Sequence, residues 1–255
     1  MQNTNDEITQ LDSLLIRAPT LKKIKDSKDD VDGWKYYKTI VAELSTKHSL
    51  LEVGAGRSPL FSSAELNDYE IDYFANDISE SELERAGSEF RKECFDVCGE
   101  IPENNLNKYD VICANMVQEH VPDGGRFYRN LLRMLKPSGI SISFHPVLFA
   151  PPFVVNKIWP ERLSAIILSS VVDANRQDEG VPKFPAIYSH CYAMKFQEKR
   201  LKEIGASDAR VFPMYGHNYY RNIPFARSMS RKITKILNSY NMAAFATYSY
   251  TIVVK

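Results

Sequence analysis

The sequence predicts an α/β protein whose parallel sheet ends in a nucleotide-binding edge. An apolar run from Ser49 to Val53 is followed by Gly54 and Gly56 and then by Pro59. Glycine lets the backbone turn sharply without a Cβ, and proline suits the first turn of a helix. A second apolar run, residues 108–115, has the polar boundaries of a buried parallel strand. A strand, a glycine turn and a helix N-terminus together form a phosphate- or nucleotide-binding edge.

The bulk composition is that of an ordinary globular protein. The chain has 255 residues, of which 44% are hydrophobic and 25% charged, and its formal net charge is zero. This neutrality argues against a nucleic-acid partner. The charge is nevertheless uneven, because no Asp or Glu occurs from Ala209 to Lys255.

The cysteines and the N-terminus predict a cytoplasmic protein. The cysteines lack C-x-x-C pairing and zinc-ligand spacing, so we expect reduced thiols and no metal site: Cys94, Cys98, Cys113 and Cys191. The first residues lack the pattern of a signal peptide, and no apolar run is long enough to span a bilayer.

The segment 1–48 is predicted to be a helical lead-in or lid before the first strand. A charged run at 22–32 suits a solvated turn. Residues 33–46 have the spacing of a helix that packs on a core, with these apolar positions on one face: Trp34, Tyr37, Ile40, Val41 and Leu44.

After the glycine turn, the pattern predicts a helix over 59–66 and a strand over 71–75. Asp77 follows, 21 residues beyond Gly56. A carboxylate at the end of this strand can accept hydrogen bonds from both hydroxyls of a ribose. The alternative is that Asp77 only helps to start the next helix, where Ser79 and Glu82 fit a capping box.

Two motif blocks carry a resemblance to a known family. Glu52-Val53-Gly54-Ala55-Gly56 resembles the E-x-G-x-G motif of class I S-adenosylmethionine-dependent methyltransferases, whereas a dinucleotide fingerprint would need glycine where Pro59 stands. The later stretches Glu119-His120-Val121-Pro122-Asp123 and Leu131 to Gly139 resemble the EHV-x-D and L-x-R-x-L-K-P-G-G pattern of the small-molecule and glycan branch. The resemblance covers residues 50–144.

This resemblance implies the complete fold and the cofactor site. It implies a Rossmann-like seven-stranded sheet with helices on both faces in a domain spanning 49–255, with a substrate-side insertion, 146–192, after strand 5. It also implies that S-adenosylmethionine is bound and S-adenosylhomocysteine released. Asp96 would reach the adenine amino group and Val97 its ring. The full set of implied cofactor residues is Glu52, Gly54, Ala55, Gly56, Asp77, Ile78, Asp96, Val97, Asn115 and Met116.

The remaining segments fit the later elements of that fold. We expect a helix that ends at Pro137 and buries Phe127, Leu131, Leu132 and Leu135, then a strand at 140–144. A helix at 194–201 and strands at 209–214 and 243–254 follow, the last two flanking a helix at 225–237. That helix is amphipathic and basic: either its charged face is simply solvated, or it contacts an anionic membrane surface or phosphate.

The resemblance leaves the acceptor open, and a hydroxyl oxygen of a small molecule or glycan, including a lipid-linked one, is our expectation. An oxygen nucleophile usually needs a base, and histidine titrates near neutrality. His145, at the end of strand 5, is the first candidate base, and His120 is the second. Residues expected to line the substrate side are Tyr188, His190, His217 and Tyr219.

Three alternatives remain open at the level of sequence. A carboxyl- or N-methyltransferase of a metabolite would need no strong base, and a degenerate member would bind cofactor without catalysis. An RNA methyltransferase is disfavoured, because strand 4 ends in Asn115-Met116-Val117-Gln118 and not in the N/D-P-P-Y/F motif of enzymes that methylate amino groups of adenine. The apolar insertion either roofs the substrate pocket, packs on the core or forms a dimer face.

Overall fold

The structure is a computed structural model that describes residues 10–27, 32–150, 185–217 and 224–255. Its strands are β1 (Ser49–Val53), β2 (Asp72–Asp77), β3 (Arg91–Cys94), β4 (Tyr109–Asn115), β5 (Leu135–Pro146), β6 (Asp208–Met214) and β7 (Tyr248–Val254). Its α-helices are α1 (Gln10–Arg17), α2 (Pro19–Asp26), α3 (Gly33–Ser45), α4 (Ser63–Asp68), α5 (Glu80–Glu84), α6 (Gly124–Met134), α7 (Lys195–Ile204) and α8 (Pro224–Ser239). Short 3-10 turns lie at Glu103–Asn105, Gln118–His120 and Ala243–Phe245.

The strands form one seven-stranded sheet in the order β3-β2-β1-β4-β5-β7-β6. Neighbours from β3 to β5 are parallel, whereas β7 runs antiparallel to both β5 and β6. The carboxyl ends of β1 to β6 therefore lie along one side of the sheet, the carboxyl edge. Pro146 and Met214 both pair with Tyr248 there, so β7 starts at this edge. The predicted seven-stranded α/β fold is confirmed.

Each face of the sheet is covered by helices, because the strands alternate their apolar side chains. Leu50 of β1 belongs to the core cluster that contains the buried side chains of α1, α2 and α3, such as Leu21 and Ile40. The next residue, Leu51, belongs to the opposite cluster with Phe127 of α6 and Leu201 of α7. Successive strand residues point to opposite faces, so these parallel strands are buried on both sides.

The helix predicted over 59–66 starts later, at Ser63. Ser62 caps it: the Ser62 Oγ accepts the Glu65 N–H at 3.4 Å, and Glu65 Oε2 accepts the Ser62 N–H at 2.8 Å. The Leu60 N–H is instead bound by Glu52. A reciprocal cap fixes the start of a helix more strongly than a proline four residues earlier.

The boundary between α6 and β5 also differs from the prediction. The helix ends at Met134, and Leu135 is already in β5, paired with Tyr109. β5 is therefore longer than the predicted 140–144 because it includes the residues on both sides of Pro137, around an irregularity in the β4 pairing. β7 starts at Tyr248 and not at 243, because a 3-10 turn occupies Ala243–Phe245.

The lead-in helix and the smaller helices are also partly corrected. In α3, the predicted core positions are buried except Trp34, whose side chain is 44% exposed at the start of the helix. In the predicted capping box of α5, the Ser79 Oγ accepts the Glu82 N–H at 3.4 Å, but the Glu82 carboxylate binds Arg57 at 2.6 Å. Only half of that box is formed.

Most of the predicted insertion, 151–184, lies outside the described residues, so the domain boundaries stay a prediction. Among the described helices, none has the length and apolar character needed to cross a membrane. The four cysteines are free thiols, with Cys94 exposed and the other three buried.

Candidate functional site

The glycine turn after β1 requires glycine at Gly54 and Gly56. Their φ angles are +73° and +51°, in the left-handed region that favours glycine. A Cβ on Gly54 would lie 2.3 Å from the Val117 Cγ2, so the turn packs directly on the loop after β4. The Ala55 N–H between them donates to the Asn76 carbonyl at 2.9 Å. The turn thus presents backbone at the carboxyl edge with no side chain in the way.

Glu52 is buried beneath this turn. The residue is 5% exposed. Its Oε2 accepts hydrogen bonds from the Leu60 N–H at 2.8 Å and from the Tyr73 hydroxyl. Burial raises the pKa of this carboxyl to about 7. We therefore correct its predicted role from a cofactor ligand to a positioning residue that joins β1, the turn and β2.

Asp77 connects the end of β2 to the glycine turn. Its Oδ2 accepts the Gly56 N–H at 3.0 Å, and its Oδ1 accepts the Ser79 N–H at 2.8 Å. A carboxylate has about four lone-pair sites, so acceptor capacity remains for ribose hydroxyls. Ile78 beside it is 58% exposed, which suits an apolar contact with an adenine ring. The observed contacts of Asp77 hold the glycine turn and the Ser79 backbone at the start of the next helix, and its role as a ribose acceptor stays a prediction.

The adenine side is less well matched. Asp96 is exposed after β3, and its Oδ1 accepts the Cys98 N–H at 2.8 Å. Val97 is 7% exposed and packs into the core layer that contains α6, where its carbonyl accepts the Asn130 side-chain amide at 2.8 Å. Asp96 stays a predicted adenine contact, whereas the orientation of Val97 into the core does not favour contact with the ring.

The end of β4 leaves an acceptor unsatisfied. The Asn115 Oδ1 is buried and has no hydrogen-bond partner among the described residues. Met116 follows with φ +55°, and its N–H donates to the Phe144 carbonyl at 2.8 Å. An unpaired buried acceptor costs about 1–3 kcal/mol, which a bound donor group can recover. The glycine turn, Asp77 and this acceptor together fit a ligand with a ribose and an ammonium group, as S-adenosylmethionine has.

A carboxyl–histidine pair follows β4 directly. The His120 Nδ1 lies 3.2 Å from the Pro185 carbonyl, so Nδ1 carries the proton and Nε2 is left as the acceptor. Nε2 lies 3.8 Å from the Glu119 Oε1. Glu119 is 3% exposed, burial raises its pKa to about 7, and its Oε2 has no hydrogen-bond partner within the described part of the chain. The Glu119 carboxyl therefore changes protonation near neutral pH, next to a histidine nitrogen that can accept a proton.

The segment 185–193 is tied onto this pair. The backbone N–H groups of Ile187 and Tyr188 donate to the Glu119 carbonyl at 2.7 and 2.9 Å. The side-chain amide of Gln118 donates to the His190 carbonyl at 2.8 Å. Burial, with the Glu119 carboxylate as a smaller cause, raises the pKa of the Tyr188 phenol to about 12. Tyr188 thus lies beside Glu119, on the predicted substrate side.

His145 does not have the surroundings of a base. It is fully buried, with Nδ1 3.0 Å from the Pro146 carbonyl and Nε2 2.8 Å from the Thr251 Oγ1. Burial lowers its pKa to about 4. Both ring nitrogens are used inside the sheet, so we correct the prediction: His145 is structural, and His120 replaces it as the candidate base.

The other predicted substrate residues are only partly placed. The His190 ring packs on the start of α6, where a Cβ on Gly124 would meet its Nδ1 at 2.7 Å. The His217 Nε2 lies 2.9 Å from the Ser230 hydroxyl of α8. Tyr219 lies outside the described residues. Among 10–27, 32–150, 185–217 and 224–255, no cluster of His, Cys, Asp and Glu could hold a metal ion.

Two residues that the sequence did not single out belong to the site. Glu119 is one, and its position directly before His120 is the sequence feature that could have indicated it. Trp34 is the other: its ring packs edge-on against Phe144 with 5.1 Å between centroids, and against Tyr248 at 6.1 Å, while part of it stays exposed at the carboxyl edge. Its helical spacing matched a core position, so the sequence held no signal for this role.

Comparisons with known proteins agree with this geometry. Residues 51–141 match the family model described as a methyltransferase domain. No curated protein matches the chain in sequence. Among solved structures, Haemonchus contortus phosphoethanolamine N-methyltransferase 2 in complex with S-adenosyl-L-methionine is 14% identical with a TM-score of 0.54, over 98% of this chain and 58% of that one. This chain thus spans 58% of the length of that relative.

Two further structures match over most of both chains. An S-adenosylmethionine-dependent methyltransferase from Mesorhizobium loti is 14% identical with a TM-score of 0.53, over 90% of this chain and 100% of that one. Another from Archaeoglobus fulgidus is 13% identical with a TM-score of 0.50, over 93% and 98%. Sequence identities of 13% and 14% show the fold alone. The family model shows in addition that residues 51–141 match a methyltransferase domain. The fold of the chain is therefore that of S-adenosylmethionine-dependent methyltransferases.

Proposed function

We propose that the protein transfers the methyl group of S-adenosylmethionine to a hydroxyl oxygen of a small-molecule or glycan acceptor, including a lipid-linked one. The bound cofactor supplies an already activated methyl group. The protein must then hold the acceptor oxygen in line and remove its proton. Positioning of this kind can supply about 7–11 kcal/mol of the barrier.

The observation that supports a hydroxyl acceptor is the Glu119–His120 pair at the carboxyl edge. The Pro185 carbonyl accepts from His120 Nδ1 and so sets the tautomer in which Nε2 is the acceptor nitrogen. In this proposal the acceptor hydroxyl donates to Nε2, and the Glu119 carboxylate, 3.8 Å away, stabilises the imidazolium that results. Because the pKa of Glu119 is about 7, this carboxyl changes protonation near neutral pH.

Aromatic side chains around the pair suit a ring-shaped acceptor. Tyr188 is held beside Glu119 by the backbone of its own segment, and Trp34 exposes part of its indole at the same edge. Flat apolar surfaces of this kind stack on sugar or aromatic rings and leave polar groups free to orient them. We therefore assign Tyr188 and Trp34 to the acceptor side.

The proposal is tested with His120→Gln and Glu119→Gln, with His48→Gln as a matched control. His48 precedes β1, at the opposite side of the sheet. The assay follows release of S-adenosylhomocysteine with a panel of hydroxylated acceptors between about pH 6 and 9, and calorimetry measures cofactor affinity. For His120→Gln we expect kcat/KM to fall by about 10²–10⁴, with cofactor affinity unchanged. For the unmodified protein we expect a rate that rises with pH through about 7.

Two outcomes would overturn it. Unchanged turnover of a hydroxylated acceptor in both variants would show that the Glu119–His120 pair is not the base. Tight cofactor binding without turnover of any acceptor would favour a binding protein without catalysis.

A further inference from the structure

Helix α8 leaves an apolar face in solvent. The exposed fractions along it are 79% for Phe225, 51% for Met229, 43% for Ile233 and 53% for Ile236, and Tyr240 just beyond its end is 77% exposed. At 100° per residue these positions fall within an arc of about 80°. We call this set the apolar arc. A helix of a globular protein normally turns such a stripe to the core.

The apolar arc is exposed although α8 is docked on the protein. Thr234 is 5% exposed, and Leu237 packs on the small cluster that contains Val147 and Tyr215. The Ser230 hydroxyl is hydrogen-bonded to His217. These contacts lie on a different side of the helix, about 80–140° from the centre of the arc. The side that packs on the protein is therefore not the apolar one.

The rest of the helix surface is basic. Arg227, Arg231, Lys232 and Lys235 are exposed, and they occupy the sector between the packed side and the apolar arc. No acidic residue occurs from Ala209 to the last residue of the chain to balance them. An exposed apolar stripe flanked by cations is the composition of a helix that lies in a membrane interface.

The topology places this helix at the carboxyl edge. α8 connects β6, which ends at Met214, to β7, which begins at Tyr248, and these two residues are paired. The glycine turn, Asp77 and His120 lie along the same edge. Other segments at this edge also expose apolar side chains: Phe149 is 45% exposed and Ile187 is 47% exposed.

We propose that α8 docks on an anionic lipid surface, with the apolar arc in the interface and the basic side chains against the headgroups. A second copy of this chain is the less suitable occupant, because pairing of two such helices would bring like charges together. A nucleic acid would meet the cations but leave the apolar arc in water. The docking itself does not rest on the proposed function. Only the assignment of a lipid-linked acceptor rests on that function.

The test is co-sedimentation of the full-length protein with vesicles, which needs no acceptor and no turnover. The vesicles are phosphatidylcholine alone or with about one third phosphatidylglycerol. The variants are the double substitutions Phe225→Glu with Ile236→Glu, and Lys232→Glu with Lys235→Glu. The control is Ile16→Glu, which places one glutamate on an apolar position of α1 that is 71% exposed. Circular dichroism confirms that each variant is folded.

We expect binding to the anionic vesicles and little to phosphatidylcholine alone. The apolar double variant should lose binding on the order of 100-fold, the basic one on the order of 10-fold, and Ile16→Glu should bind as the unmodified protein does. Three results would overturn the inference: no binding, binding that both double variants retain, or a dimer in sedimentation velocity that the apolar double variant converts to monomer. Each would leave the reaction proposed above intact, since that is measured with dissolved acceptors.

Discussion

Replacing Glu52 by Gln should make the protein more stable at neutral and alkaline pH. The Glu52 carboxyl is buried beneath the glycine turn, and its Oε2 accepts from the Leu60 N–H and the Tyr73 hydroxyl. The side-chain carbonyl of Gln can accept both of these hydrogen bonds, so the packing can be kept. What changes is that Gln cannot ionise.

The magnitude follows from the pKa. Burial raises the pKa of Glu52 from 4.5 to about 7. Below pH 4.5 the carboxyl is neutral in both the folded and the unfolded chain. Above about pH 7 it is charged in both, and because it is buried only in the folded chain, the charge raises the free energy of the folded state alone. At about 1.4 kcal/mol per pKa unit, the contribution of Glu52 to the free energy of unfolding therefore falls by about 3 kcal/mol as pH rises from 4.5 to 7.

The assay is urea unfolding of the ligand-free protein and of Glu52→Gln between about pH 5 and 8, with the exposed Glu100→Gln as a control. The stability difference between Glu52→Gln and the unmodified protein should grow by about 3 kcal/mol towards alkaline pH, and the control should show no such trend. A difference that stays constant or shrinks with pH would refute the reasoning, because it would mean that the folded state stabilises the charged carboxylate. Cofactor affinity measured on the same variant should change by only a few-fold if Glu52 positions the turn.

Three further perturbations test the site. Asp77→Asn removes one carboxylate oxygen that the backbone and the ribose would share, so calorimetry should show S-adenosylmethionine affinity reduced by about 10–100-fold; an unchanged affinity would remove Asp77 from the cofactor site. Gly54→Ala should lower thermal stability and abolish cofactor binding, since its Cβ would lie 2.3 Å from Val117 and its φ is +73°, and adding Val117→Ala should recover part of the stability. Tyr128→Phe should cost about 1–3 kcal/mol in urea unfolding, because it leaves the buried Gln118 Oε1 without its donor, whereas a neutral result would show that water replaces the phenol.

The cofactor half of the site could be predicted because its signals are local. Glycines needed at positive φ and an acid at the end of the next strand occur within 23 residues of one another, from Gly54 to Asp77, and spacing alone relates them. The structure confirms the strands that place these residues and shows the contacts of Asp77 and Gly56. The roles of Asp77 and Ile78 towards a ligand stay predictions.

The acceptor half could not be predicted, because its properties depend on partners far away in the chain. His145 looked like a base at a strand end, yet its Nε2 is bound by Thr251, 106 residues later. The tautomer of His120 is set by its hydrogen bond to the carbonyl of Pro185, 65 residues later. Trp34 matched the spacing of a core residue, and only its position at the start of α3, beside Phe144, left it partly exposed.

The sequence by itself determined the fold class and the order of most elements, because backbone conformation and the alternation of apolar residues depend on short stretches of sequence. Tertiary structure alone decided which ionisable groups are buried and which apolar faces are not. Burial gave Glu52 and Glu119 their raised pKa values and gave His145 its lowered one. It also left the apolar arc of α8 outside the core, since that helix packs through Thr234 and Leu237. Desolvation is set by everything that surrounds a group, and no short stretch of sequence contains that information.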